Sequence, residues 1–272
     1  FESNAVRRYT FVDAYESELI YITKANHKND APNLWKPLST YRNIMEERRE
    51  NQNGRLNYFH LHWPRDEYYF EEGEKILSVR KCDRPTFIYT KKPAYVMMAF
   101  NIIRTDRANL KYLTALLNSK LVAFWLRSKG KMQGNNYQID KEPLLETPIA
   151  LSDKQQIIAT LVDYILLVHQ PRKEQLIKYI GDDLIIHSFD EVIDHAFYEI
   201  YFGAEPEMAE LQVLKYLENI KPISEDYTNT DIETVVNFYH WLHEQTNPVR
   251  TALLKANIVS KDIIGVINST IS

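Results

Sequence analysis

Cysteine is nearly absent from this sequence, because Cys82 is the only cysteine among 272 residues. A single cysteine excludes an internal disulfide framework and fits a reducing compartment, so we expect a cytoplasmic protein. No uninterrupted apolar run in the sequence reaches the length of a membrane span. The composition therefore predicts a globular protein without a membrane partner.

Glycine is also scarce, with seven residues in the chain, and none of them forms a glycine-rich loop after a predicted strand. Phosphate-binding loops and dinucleotide fingerprints need such glycines, because the backbone must approach the phosphates closely. No elbow motif fixes a serine nucleophile. We assign neither a catalytic residue nor a cofactor site to this chain.

The net charge of −4 conceals an asymmetry along the chain. Residues 1–150 contain 24 Lys and Arg against 18 Asp and Glu, a net charge of +6. Residues 151–272 contain 9 against 19, a net charge of −10. Nucleic acid attracts a basic surface and repels an acidic one, so any nucleic-acid contact is expected in the first half.

Hydrophobic patterning divides the chain at the same place. Runs rich in β-forming residues predict strands at 56–61, 76–79, 86–90 and 94–103, and partial alternation over 9–22 predicts one or two more. Apolar residues at helical spacing predict a central helix over 110–126. We therefore predict an α+β chain in which a mixed, small-sheet domain over residues 1–150 surrounds a central helix.

The second half has a different pattern. Apolar residues recur there at helical spacing, and capping-box patterns precede several of the stripes, at Ser152–Gln155, Ser188–Glu191 and Thr230–Glu233. This pattern predicts an all-helical domain over residues 151–272.

A basic, amide-rich segment follows the central helix, and we predict that it forms a polar loop. Its candidate contact residues are Lys129, Lys131, Gln133, Asn135, Asn136 and Tyr137. Lysines suit phosphates, while amide side chains can both donate to and accept from base edges. Tyr137 is the aromatic residue that we expect to be available for contact rather than buried. The alternative for the whole segment is an ordinary solvated loop.

Two further features are open to a functional reading. In the mixed run 46–50, Arg48 and Arg49 could contact phosphates, although a solvated helix face is the alternative.

His60 and His62 would share one face of the predicted strand and, with the acidic turn at 66–74, could serve a metal-dependent hydrolase. No third ligand stands at a diagnostic spacing, so we expect no metal site.

Three segments, taken in order, resemble a known family. The first is Leu-His-Trp-Pro-Arg at 61–65, followed by residues 74–77 and Arg80. The second is Leu-Leu-Asn-Ser-Lys-Leu at 116–121 with the basic loop after it. The third is Pro-Leu-Leu-Glu-Thr-Pro-Ile at 143–149, where the chain leaves that loop. Over about residues 35–150 the chain resembles the C-terminal specificity domain of TaqI-like adenine-N6 DNA methyltransferases, which type IIG restriction–modification enzymes also carry.

The resemblance implies a bacterial target-recognition domain that binds double-stranded DNA and positions an adenine. It implies that Arg65, Arg80, Lys81 and Lys91 join the DNA contacts. Methyl transfer from S-adenosylmethionine would belong to an upstream domain, since the (Asn/Asp)-Pro-Pro-(Tyr/Phe) motif of amino-methyltransferases is absent here. The chain begins at Phe1, so we expect a fragment of a longer protein. A protein-docking module of a restriction–modification complex is the alternative function.

Overall fold

A computed structural model describes residues 6–11, 19–26, 32–172 and 174–271. Helices and small antiparallel sheets make up the chain, so the predicted α+β class is confirmed. The described residues pack into two compact units. Of the described residues, the first contains 19–26, 32–72 and 93–95, and the second contains 6–11, 73–92, 96–172 and 174–271.

The first unit consists of short helices joined by turns. They are α1 (Trp35–Ser39), α2 (Arg42–Glu46) and α3 (Arg49–Gln52), with 3-10 turns at Pro32–Leu34 and Glu67–Tyr69. The strand predicted at 56–61 is wrong, because these residues form turns. Their polar backbone groups find local partners instead: His60 Nδ1 accepts from the Asn57 amide at 3.2 Å, and Arg48 donates to the carbonyls of Tyr58 and His60.

The second unit is built on three antiparallel sheets. Their strands are β1 (Val6–Arg7), β2 (Thr10–Phe11), β3 (Lys75–Val79), β4 (Lys81–Cys82), β5 (Phe87–Thr90), β6 (Phe100–Ile103), β7 (Lys131–Gln133) and β8 (Asn136–Gln138). One sheet pairs β1 with β2, a second has the order β5-β3-β6, and a third has the order β4-β8-β7. The strands predicted at 76–79 and 86–90 are confirmed. Within the strand region predicted over 9–22, β2 is present, and residues 12–18 lie outside the described residues.

The strand predicted at 94–103 begins only at Phe100. Pro93–Tyr95 belong to the first unit, where the Ala94 amide donates to the carbonyl of Phe70 at 2.8 Å. Met97 then starts a tight turn, in which its carbonyl accepts from the amide of Phe100 at 3.1 Å. The amide of Ala94 and the carbonyl of Met97 are therefore already hydrogen-bonded outside the sheet.

The central helix predicted at 110–126 is present as two helices, α4 (Leu110–Asn118) and α5 (Lys120–Lys129). The break lies at Ser119, whose ψ of 157° is extended and whose hydroxyl caps α5 by accepting from the Val122 amide. Asn118 pairs with a strand backbone, because its side chain accepts from the amide of Phe87 at 3.0 Å and donates to its carbonyl at 2.8 Å. The Asn-Ser pair therefore ends one helix, starts the next and fixes both to β5.

The remaining α-helices of the described residues follow β8. They are α6 (Lys141–Leu145), α7 (Gln155–Val168), α8 (Asp182–Phe202), α9 (Asn229–Leu242), α10 (Pro248–Val259) and α11 (Val266–Ile271). The predicted capping boxes are misplaced: Ser188 lies inside α8, Lys154 rather than Ser152 precedes α7, and the box before α9 is Thr228 with Asp231. Of the described helices, none is long and apolar enough to cross a membrane.

The core of the second unit contains residues from both halves of the sequence. Leu116 and Tyr112 of α4, Leu161 of α7 and Phe197 of α8 are all fully or almost fully buried in one hydrophobic cluster. Residues on both sides of position 150 therefore share one core. The predicted division into residues 1–150 and 151–272 stays a prediction about the function of each half.

Two adjacent side chains of α8 are expected to give opposite pH dependences of stability. Burial lowers the pKa of His195 to about 4 and raises the pKa of Asp194 to about 6. Between pH 6.5 and 4 the unfolded chain takes up the histidine proton first, so acidification removes stability through His195. Between pH 6 and 3.8 the folded chain takes up the aspartate proton first, so acidification adds stability through Asp194.

We expect His195→Gln to lose less stability than the wild type between pH 7 and 4.5, and Asp194→Asn to lose more. Each difference is expected to be up to about 3 kcal/mol, from 1.36 kcal/mol for each unit of pKa shift. Urea unfolding at the two pH values measures it. Parallel pH profiles for the wild type and both variants would contradict the assignment.

Candidate nucleic-acid interface

The candidate residues that lie closest together are on the third sheet, which we call the recognition sheet (β4, β7 and β8). Its register places Lys81 and Lys131 on either side of Gln138, and Gln133 opposite Asn136. Directly paired residues of antiparallel strands project to the same side. One side of the sheet therefore presents two lysines and three amides, which we call the polar face: Lys81, Lys131, Gln133, Asn136 and Gln138.

The opposite side of the recognition sheet is packed. Cys82, Met132 and Tyr137 form the intervening row of the register, and Tyr137 is 4% exposed within the main hydrophobic cluster. The prediction of an available Tyr137 ring is therefore wrong, because strand alternation turns this residue inward. Burial also raises the pKa of Cys82 to about 12, so its thiol stays protonated near neutral pH.

A tight turn joins β7 to β8, so the predicted polar loop is a hairpin. Its two central residues are Gly134 and Asn135, and the positive φ of 62° at Gly134 is the pattern of a type II′ turn. Asn135 is exposed at the tip, next to the exposed side chains of Gln133 and Asn136. The turn therefore presents amide groups together at the end of a two-stranded ribbon.

A carboxylate organises the other end of the polar face. Asp140 accepts from Gln138 Nε2 at 3.0 Å and from Arg80 Nη2 at 3.0 Å, and Lys131 Nζ lies 3.7 Å from its Oδ2. Gln138 Oε1 in turn accepts from Gln133 Nε2 at 2.7 Å. Hydrogen bonds from Gln138 and Arg80, with the charge of Lys131, lower the pKa of Asp140. Neither Gln138 nor Asp140 was among the predicted contacts.

Arg80 and Lys129 flank the recognition sheet. Besides contacting Asp140, Arg80 donates from its side chain to the carbonyl of Met98 at 3.4 Å, and its side chain is 41% exposed. Lys129 is exposed in the last turn of α5, with its ammonium 5.9 Å from the centre of the Trp125 ring. A lysine at the C-terminus of a helix is favoured by the helix dipole, which helps to hold this charge in place.

Lys91 lies among acidic groups. Its ammonium lies 3.8 Å from Glu74 and donates a hydrogen bond to Glu225, which raises the pKa of Lys91. These carboxylates would repel a phosphate at close range. The electrostatics therefore argue against the predicted phosphate contact by Lys91.

The other predicted arginines belong to the first unit. Arg48 is half-buried and directs three of its donors to the backbone carbonyls of Met45, Tyr58 and His60, at 2.9, 2.6 and 3.1 Å. These contacts indicate a structural role and leave few donors for DNA. Arg49 is exposed at the start of α3, and Arg65 is half-exposed, with its carbonyl accepting from the Tyr21 hydroxyl. Their DNA contacts stay predictions.

The two histidines considered for metal binding have separate partners. His62 Nε2 lies 2.6 Å from a carboxylate oxygen of Glu50, and His60 is buried with Nδ1 occupied by the Asn57 amide. Across the described residues, no group of three or more His, Cys, Asp or Glu side chains could hold a metal ion. The shared strand face that motivated the hydrolase alternative is also missing.

Residues 14–149, half of the chain, match the TaqI-like C-terminal specificity domain. This chain belongs to that family. The resemblance predicted from the sequence is confirmed, and all twelve predicted contact residues lie within the matched range of this TaqI-like specificity domain.

One curated relative of the TaqI-like specificity domain is the type II methyltransferase M.HincII of Haemophilus influenzae. The two are 26% identical over 136 residues, which cover 46% of this chain and 26% of the relative. The chain thus spans about a quarter of the relative's length. Residues 14–149, which match the model of this specificity domain, contain the recognition sheet and the described residues of the first unit.

Proposed function

We propose that this chain binds double-stranded DNA at a specific sequence and directs a methyltransferase to it. The observation that carries the proposal is the polar face, in which three amides and two lysines project from the same side of a three-stranded sheet. Membership of a specificity-domain family supports it, as does similarity to a methyltransferase. The electropositive first half, with its net charge of +6, adds the attraction that a polyanion requires.

The hairpin of β7 and β8 supplies the reading element. A two-stranded ribbon fits the major groove, and amide side chains can pair there with the donor and acceptor groups of a base edge. In this proposal Gln133, Asn135 and Asn136 read bases, while Lys81, Lys129 and Lys131 contact phosphates. Arg80 is the bidentate donor for a guanine edge, because its planar guanidinium is held by Asp140.

The chemistry of the parent enzyme is assigned to an upstream domain of the same polypeptide. In this proposal that domain binds S-adenosylmethionine and methylates the target adenine at N6, as in a type IIG restriction–modification system. The sheets of the described chain are antiparallel, and no named strand leads through a glycine-rich loop into a helix. In this proposal the role of this chain is to position the DNA.

Fluorescence anisotropy with a pool of random duplexes at several salt concentrations tests the proposal. We expect log Kd to change with log salt by about 0.9 for each phosphate contact, and repeated selection to enrich one short sequence. Lys131→Gln should reduce this slope by about one contact and weaken all sequences alike. Gln133→Ala should instead relax the selected sequence at one position.

Lys178 offers a matched control for Lys131, since it belongs to the second unit and is exposed next to the exposed Tyr179. Lys178→Gln should leave both the slope and the sequence unchanged. Binding without enrichment of any sequence would contradict the proposal. So would the absence of binding at low salt, which would favour a protein-docking module.

A further inference from the structure

A short turn before β6 exposes apolar residues at successive positions. They are Met97, Met98 and Ala99, and the two methionine side chains are 74% and 75% exposed. The amide of Phe100 donates to the carbonyl of Met97 at 3.1 Å, so Met98 and Ala99 are the central residues of the turn. Turns usually hold Gly, Pro, Asn, Asp or Ser at such positions. We call residues 97–99 the apolar turn, because its composition is unusual for a surface turn.

Buried side chains hold the apolar turn at both ends. Val96 before it is 6% exposed, and Phe100 after it is 1% exposed. The chain therefore buries the neighbours of the methionines and leaves the methionines themselves in water. A run of exposed apolar residues is unfavourable in the isolated protein, and it is typical of a surface that another molecule covers.

The apolar turn lies beside the recognition sheet. The amide of Arg80 donates to the carbonyl of Ala99 at 2.8 Å. The guanidinium of Arg80 donates to the carbonyl of Met98 at 3.4 Å and to Asp140 at 3.0 Å. It thereby links the apolar turn to the carboxylate that organises one end of the polar face. A base edge that Arg80 contacts would also lie close to the methionines.

The size and the charge of this region favour DNA over a protein as the molecule that covers the apolar turn. A stable protein interface needs about 20–30 residues on each side, far more than this turn supplies. Arg80 and the exposed Lys81 after it favour a polyanion. In the major groove, the C5-methyl group of thymine is the apolar group that a base pair presents. Methionine suits such a contact because its unbranched side chain adapts to an irregular surface.

We propose that Met97 and Met98 contact the C5-methyl groups of thymines next to the guanine that Arg80 contacts. This inference rests on the proposed function and deepens it, because it adds an apolar contact to the hydrogen bonds of the polar face. The sequence that this chain selects should therefore contain thymine beside that guanine, on one strand or the other. A selected sequence without such a thymine would overturn the inference.

Replacement of single thymines by deoxyuridine in the selected duplex tests the contact, because it removes the methyl group and retains the base pairing. At one or two positions the wild type should bind the deoxyuridine duplex about fourfold more weakly, the effect of one buried methyl group. The double variant Met97→Ala with Met98→Ala should bind both duplexes equally. The double variant Met97→Leu with Met98→Leu should retain most of the difference, since leucine is also apolar.

Leu254→Ala is the matched control, because Leu254 is 69% exposed in the same unit and lies on α10. It should leave the preference for thymine unchanged. Sequence-selective binding that no deoxyuridine substitution weakens would overturn this inference and leave the proposed function in place. The absence of binding to any duplex would overturn the proposed function as well, and would favour a protein as the molecule that covers the apolar turn.

A second measurement detects the contact itself. In NMR spectra of the complex with the selected duplex, the ε-methyl signals of Met97 and Met98 are identified by their absence in Met97→Leu and Met98→Leu. They should show nuclear Overhauser effects to a thymine methyl group. Met132, which packs against the hydrophobic core, should show none. Effects to deoxyribose protons alone would overturn the proposal, because the apolar turn would then contact the DNA backbone.

Discussion

Replacing Asp190 with asparagine is expected to lower the free energy of unfolding by about 3–5 kcal/mol, the cost of leaving one partner of a buried ion pair. Asp190 accepts from Arg8, and its other oxygen accepts from the Tyr9 hydroxyl at 2.6 Å. The Arg8 and Asp190 side chains are only 14% and 8% exposed. Without the carboxylate, the guanidinium would remain buried with a carbonyl oxygen of Asn118 as its main partner.

The second unit depends on this pair because of where it lies. Arg8 and Tyr9 come from the start of the chain, Asn118 from the end of α4, and Asp190 from α8. The pair therefore connects segments that are more than a hundred residues apart in the sequence. Removal of one charge should weaken all of these connections together, and urea unfolding at neutral pH measures the loss.

An exposed ion pair of the same unit provides the control for Asp190. Lys154 lies 2.9 Å from Glu218, with side chains that are 34% and 55% exposed. Glu218→Gln should cost less than about 1 kcal/mol, because water replaces the lost contact. The double variant Arg8→Met with Asp190→Leu should recover much of the loss of stability. Similar small losses from Asp190→Asn and Glu218→Gln would contradict the buried-pair argument.

Much of the second unit can be predicted from its sequence because burial imposes simple patterns. The strand β3 is buried at every position, and its apolar run made it recognisable. The apolar stripe of residues 110–126 likewise identified the central helical region. The break within it was not predicted, because the reason for it is tertiary: Asn118 pairs with the backbone of Phe87, which is distant in sequence.

The candidate interface was harder to predict because its elements are short and polar. Composition alone predicts a loop over residues 131–138, although the alternation of exposed Lys131 and Gln133 with half-buried Met132 is a strand pattern. Recognising that alternation, with Gly134-Asn135 as the turn, would have turned Tyr137 inward. Asp140 accepts from both Gln138 and Arg80. The sequence could not reveal this shared acceptor, because Arg80 lies sixty residues away from Asp140.

The first unit shows the opposite error. Alternating aromatic and polar residues at 56–61 suggested a strand, but a strand also needs a neighbour with free backbone groups. Here the Arg48 side chain donates hydrogen bonds to the carbonyls of Tyr58 and His60. An arginine that satisfies backbone groups has the same sequence signature as one that contacts a phosphate, so contacts in the fold are needed to separate the two roles.

Replacing Asp140 with asparagine is expected to reduce sequence discrimination while slightly increasing affinity for random DNA. The second effect follows from charge, because one negative group is removed from a surface that faces phosphates. The first follows from geometry. Asp140 accepts hydrogen bonds from Arg80 and Gln138, and Gln138 accepts one from Gln133. An asparagine side chain at position 140 is neutral and also donates, so it would disturb the side chains that contact bases.

The expected size of the loss is set by one well-placed bidentate contact, which is worth about 1–3 kcal/mol of discrimination. The ratio of affinities for the selected and random sequences should therefore fall about tenfold or more. Asp140→Glu, which retains the charge, should restore part of that ratio. Measuring Kd for both duplexes at fixed salt separates the discrimination from the general affinity.

Asp106→Asn is the control for charge alone, since Asp106 is exposed in the same unit and its substitution changes the net charge equally. It should leave the affinity ratio unchanged. If Asp140→Asn raised the affinity for selected and random DNA by the same factor, Asp140 would act only through its charge, and the positions of Arg80 and Gln133 would not depend on it. A fall in the ratio with retained random-sequence affinity would instead show that a carboxylate can favour DNA reading by ordering the groups around it.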